Sequence, residues 1–212
     1  MTISRNRKAI VALSIICMSI LVPWFWPSND DRLREFVERD DVFAVVTSIQ
    51  SGKVPIASLN KVAPAMRSVK MLELLRENGC NLNSQNAAGN TALHLAAYRC
   101  DIELTLALVA DGANVNARNK WGDTPLHMAV MCFPHDSAED NGLLSSDLSG
   151  YKKLSRVEPV VGILMDAGAS NRVYGDLNMT PDNHVSQWCP EPYKARLLSL
   201  LKVSTINLGR SK

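Results

Sequence analysis

Three sets of side chains in this chain could carry chemistry: two histidines at a repeated phase, a group of cysteines, and a short acidic cluster around a further histidine. His94 and His127 each follow a threonine, Thr91 and Thr124, by three residues. An imidazole is a candidate general base, but acyl or phosphoryl chemistry also needs a nucleophile and an orienting group converging on one pocket. The sequence spells no such set. Cys80, Cys100, Cys132 and Cys189 lie beyond the amino-terminal segment, and no Cys-x-x-Cys spacing occurs to pair with the lone Cys132-x-x-His135 step, so zinc is not expected. His135, Asp136, Glu139 and Asp140 match no calcium-loop spacing. The expectation is a non-enzymatic chain with no metal, cofactor or small-molecule substrate.

The elements that place those histidines repeat. Asn86 to Arg118 reads NAAGNTALHLAAYRCDIELTLALVADGANVNAR, and the next stretch restarts with NKWGDTPLHMAV. Gly89, Thr91, Leu93, His94 and Ala96 recur 33 residues later as Gly122, Thr124, Leu126, His127 and Ala129. A fixed period of this kind determines the whole architecture. With these residues at these phases it resembles the ankyrin-repeat family, which implies an all-α solenoid of stacked helix pairs. Thr91 and Thr124 stand just ahead of apolar helical runs, where a hydroxyl accepts from unpaired amides, and Pro125 fits the first helical position. The resemblance implies that His94 and His127 are structural, hydrogen-bonded to the threonines and neighbouring backbone. Gly112 and Gly168 are expected to end outer helices in a left-handed conformation. Cys100 occupies the family's usual glycine place in the turn between helices.

Tail segments NGCNLN, DGANVN and AGASNR put Gly79, Gly112 and Gly168 in register, but the second step is 56 residues instead of 33. One unit therefore carries an insertion. The expected outer helix of that unit runs from about Glu158 to Asp166, which assigns residues 133–157 to an interhelix turn. Its Ser, Asp and Gly content reads as loop, either functional or a tolerated extension. About five helix-pair units are expected over residues 28–212, the first and last divergent caps. In the last, Asn178 replaces Gly and Asn183 replaces His.

Residues 1–27 read as a separate unit. Arg5, Arg7 and Lys8 precede AIVALSIICMSILVPWFW, 18 uncharged residues from Ala9 to Trp26. A helix of that length covers roughly 27 Å, close to the roughly 30 Å apolar core of a bilayer. The expectation is a single-pass signal anchor that leaves the rest in the periplasm of a bacterium; the rival is a cleaved signal peptide and a soluble periplasmic product. Without those three bases the chain has 20 Lys and Arg against 21 Asp and Glu, which offers no basic footprint for nucleic acid. An exported chain permits disulfides, and Cys132 with Cys189 is the candidate pair, against a reading of unbridged thiols.

In ankyrin proteins the hairpin tips and the exposed side of the inner helices form a concave recognition face. Those positions map here to Asn90, Tyr98, Arg99, Lys120, Trp121, Asp123 and Met131, with Tyr174 continuing the strip. Trp, Tyr and Arg are the residue types that most often anchor interfaces. The expected function is a membrane-tethered module that binds a partner protein. Exported ankyrin-like proteins also resemble neutralisers of secreted toxins, phospholipases included, and helpers of envelope or oxidative-stress enzymes. A purely structural spacer is the remaining alternative.

Overall fold

The computed structural model describes residues 28–52, 54–131, 149–189, 191 and 193–207. These contain ten α-helices and no strand: α1 (Asn29–Glu38), α2 (Val42–Gln50), α3 (Ile56–Val62), α4 (Val69–Glu77), α5 (Ala92–Tyr98), α6 (Ile102–Ala110), α7 (Pro125–Val130), α8 (Ser149–Asp166), α9 (Pro181–Trp188) and α10 (Tyr193–Asn207). They form five pairs. The first helices of successive pairs pack in one row, α1 on α3, α5 on α7 and α7 on α9, with the 3-10 turn Ala63–Ala65 joining α3 to α5. The second helices form a parallel layer behind it, α2 on α4, α4 on α6, α6 on α8 and α8 on α10. Each pair meets only its neighbours, which is the arrangement of a solenoid.

Residue size explains the two layers. Ala96, Ala97 and Ala129 are fully buried where α5 and α7 meet, and their short side chains let the helices approach closely. Leu72, Leu75, Leu104, Leu108, Val160, Leu164, Leu197 and Leu201 are almost wholly buried along the second layer. Burying such a side chain contributes roughly 1.5–3 kcal/mol, so helices of six to nine residues, too short to persist alone, are stable when stacked.

Helix ends follow local rules. Asp41, Ser68 and Asp101 cap α2, α4 and α6, each side-chain oxygen accepting from an amide three residues on. Gly112 and Gly168 leave α6 and α8 at φ 82° and 86°. The amides of Ala113 and Ala169 then return to Leu108 O and Leu164 O, each at 2.9 Å. Asn178 holds φ 54° at the phase where Gly122 holds 86°, a left-handed conformation that asparagine tolerates better than most residues.

Three expectations meet different outcomes. The outer helix of the fourth pair does not begin near Glu158: α8 starts at Ser149, so residues 149–157 of the insertion are helix, not turn. Pro159 sits in the interior of α8, at the phase of Glu103 in the first turn of α6. A proline is readily accepted in a first turn, so the insertion has extended an ordinary outer helix backward from that point. Second, the signal anchor at 1–27, Cys132 and insertion residues 133–148 lie outside the described residues; among the described residues no helix is long and apolar enough to cross a membrane. Third, the Cys132–Cys189 pairing is not what forms. Cys189 is a buried thiol, and it is Cys100, at φ 53° and wholly buried, that is disulfide-bonded, to a partner outside the described residues. The αL turn at Cys100 directs its side chain inward, whereas Cys189 is enclosed at the end of α9.

Candidate functional site

Three hairpins project from the row of first helices, and side chains cross-tie them. Asn86 Oδ1 accepts from the amides of Ala88 and Asn90 at 2.9 and 3.0 Å. One period later Asn119 Oδ1 accepts from Trp121 N and Asp123 N at 3.0 and 2.9 Å. Each asparagine thereby closes its own turn. Gly89 and Gly122 carry the positive φ these turns require. At Gly89 a Cβ would stand 2.7 Å from Lys120 N, because the Lys120 amide donates to Ala88 O at 3.1 Å and draws the two hairpins together. The Asn86 and Asn119 pair was visible in the repeat, but its role depends on the turn it closes.

The histidines hold hairpin to helix. Thr91 N donates to His94 Nδ1 at 3.1 Å, and Thr91 Oγ1 lies 2.8 Å from the same nitrogen. His94 Nε2 is 3.1 Å from Asp123 O, a carbonyl that can only accept, so Nε2 carries the proton and Nδ1 is the acceptor. The next unit repeats the arrangement: Thr124 N to His127 Nδ1 at 3.1 Å, and His127 Nε2 to Met179 O at 3.2 Å. Both rings are completely buried, and burial pushes both pKa values below the ordinary histidine value, with Asp123 opposing. Each imidazole is a neutral strut between one helix start and the following hairpin. Both nitrogens of each ring are taken up by these structural hydrogen bonds.

The eight residues mapped to recognition separate into exposed, half-buried and buried sets. Trp121, Tyr174 and Tyr98 are exposed at 54%, 57% and 46%, and Lys120 is exposed beside Trp121. Met131 is half-buried at the end of α7. Asn90 and Asp123 do not face outward: both are buried, Asn90 Oδ1 accepting from Asn119 Nδ2 at 3.0 Å and Asp123 Oδ1 from Asp176 N at 2.7 Å. They share one phase and do one job, tying each unit to the next hairpin. A polar residue in a hairpin gives no sequence sign of whether it meets water or a neighbour 29 or more residues away. Arg99 is half-buried, its Nη2 donating to Met66 O at 2.8 Å in the preceding unit. Arg118 bridges hairpins, Nε to Gly122 O at 3.1 Å and Nη2 to Tyr174 O at 2.8 Å, which fixes the backbone that presents Tyr174. Gly175 was not singled out by sequence, yet a Cβ there would strike Asp123 Oδ1 and the His127 ring.

A stiff comb of hairpins bearing exposed aromatics, set on a row of short helices, is a recognition scaffold. A family model described as ankyrin repeats (3 copies) matches residues 61–139, and this stretch of the chain is built of ankyrin repeats. The stacking continues unchanged through the helix pairs on either side of the matched stretch. No curated protein matches the sequence. Ankyrin repeats are protein–protein interaction modules, generally without catalysis of their own. Among the described residues no group of three or more His, Cys, Asp or Glu is placed to hold a metal ion.

Proposed function

We propose that this chain binds a partner protein through the hairpin surface presented by Lys120, Trp121 and Tyr174 and by Tyr98 at the far end of α5, and that it does so tethered to a membrane on the periplasmic side. The observation that carries the reading is the exposure of Trp121 and Tyr174 on adjacent hairpins whose backbones are locked by Lys120 N to Ala88 O and Arg118 Nη2 to Tyr174 O. Large aromatic side chains held on a rigid frame lose little freedom on binding, so they suit an interface anchor. The apolar run 9–26 with its basic flank supports the tether. The half-cystine Cys100 supports an oxidising compartment, because disulfides persist there and are rare in a reducing cytosol.

The test is quantitative capture with the full chain as bait. A specific partner retained by the native protein is lost with Trp121→Ala/Tyr174→Ala, with affinity down by about 100-fold or more. Undiminished retention by the double variant removes this surface from the function and leaves a spacer. A toxin as that partner would make the chain an immunity protein. Its activity must then fall on mixing, and full toxin activity at saturating chain rules that role out.

A further inference from the structure

At the opposite end of the first helices from the hairpin tips, a groove of about 580 Å³ is lined by Arg67, Arg99, Asp101, Ile102, Glu103 and Arg156. Its three arginines come from three successive units: Arg67 precedes α4, Arg99 follows α5, and Arg156 lies on α8. The charges are not neutralised internally. Among the described residues neither Arg67 nor Arg156 forms an ion pair, and both are exposed. Arg99 uses Nη2 on Met66 O, which fixes its guanidinium, and the other N–H groups of its fork have no protein acceptor among the described residues. Asp101 is already committed, its Oδ1 accepting from Leu104 N at 3.1 Å as the cap of α6. Asp101 still offsets part of the Arg99 charge, and with Glu103 the lining holds two carboxylates against three guanidiniums, a net positive charge.

We propose that this groove is an anion-recognition subsite that seats an extended acidic peptide segment of the protein partner. Arg67 and Arg99 are close enough to repel, which lowers the pKa of Arg99 alongside the larger effect of its burial, and a carboxylate between them relieves that repulsion. Arginine's planar fork pairs with a carboxylate by two parallel hydrogen bonds. Packed helices lie about 8–10 Å apart, so three successive units spread the positive charge over roughly 16–20 Å. A single phosphate fills one gap of that strip. An extended chain rising about 3.3 Å per residue covers it in roughly six residues. Tyr98 directly precedes the lining residue Arg99 in the chain, and α5, seven residues and roughly 10 Å long, separates the groove from the hairpin side, a distance one partner can span.

The inference rests on the reading of the chain as a protein-binding module, but its test requires no partner. Hexaglutamate and pyrophosphate are titrated calorimetrically into the full chain at fixed ionic strength. Hexaglutamate binds saturably, Arg67→Ala/Arg156→Ala weakens it by about tenfold or more, and Arg34→Ala, an exposed arginine on α1, leaves it unchanged. Absence of saturable binding, indifference to the double substitution, or pyrophosphate binding as tightly as hexaglutamate each overturns the assignment. If hexaglutamate fails while partner capture still depends on Trp121 and Tyr174, the groove inference falls and the hairpin surface stands.

Discussion

His94 and His127 sit between units, whereas His184 sits in the last unit, and the three rings have different fates. The first two have both nitrogens satisfied, Nδ1 by a threonine of the same unit and Nε2 by a carbonyl of the next. His184 is 6% exposed, its Nε2 has no hydrogen-bond partner, and its ring meets His127 edge-on with centroids 6.2 Å apart. Residue type is constant and burial nearly so. Two things differ: His184 stands one residue past the repeat's histidine phase, which Asn183 occupies, and where another hairpin follows a unit it supplies an acceptor, whereas after the fifth helix pair none is described. Internal histidines stabilise the stack because the stack continues.

Removing a strut should break that contrast with the largest effect. His94→Ala leaves a cavity, strands Thr91 N and takes away one of the two donors to Asp123 O, and is expected to cost about 3 kcal/mol in urea unfolding, with His127→Ala similar. A loss below about 1 kcal/mol for either would mean that the carbonyl contacts hold little. Acid should act next. Burial lowers the folded pKa of His94 and His127 below 6.5, so the neutral forms are favoured in the folded state. Their contribution is fully present above the unfolded value and is lost as pH falls below it towards the folded one, because unfolded chains take up protons that the folded protein refuses. Unfolding midpoints should therefore decline from pH 7.5 to 5.5. The slope should flatten in His94→Ala/His127→Ala, and an unchanged slope would place the acid sensitivity elsewhere. The smallest effect sharpens the comparison from the other side: His184→Leu removes an unsatisfied buried nitrogen and should change stability by no more than about 1 kcal/mol, in either direction. A loss as large as that at His94 would reveal a partner for the ring.

Much of the scaffold could be read from the chain because its signals are local. Thr91 and Thr124 mark helix starts, Gly112 and Gly168 mark ends, and the 33-residue spacing aligns them. The backward extension of α8 was hidden because Ser149, Gly150 and Ser155 are poor helix formers, and loop-like composition outweighed the helical pattern. The exposure of Trp121, Tyr98, Lys120 and Tyr174 was legible, because these are large or charged residues whose outward placement the repeat phase predicts. Asn90 and Asp123 were misplaced for a different reason. Short polar side chains are equally at home in water and in a hydrogen-bonded tie, and only the position of the next hairpin chooses between them.

The sequence by itself determined the repeat, the helix starts and stops and the layer of small alanines, since each depends on residues within a few positions of one another or on a fixed displacement. The tertiary structure decided which polar groups became ties, which of the four downstream cysteines entered a disulfide, and where three arginines from separate units converged. Those outcomes depend on distances between residues far apart in the chain, and such distances exist only once the units have stacked.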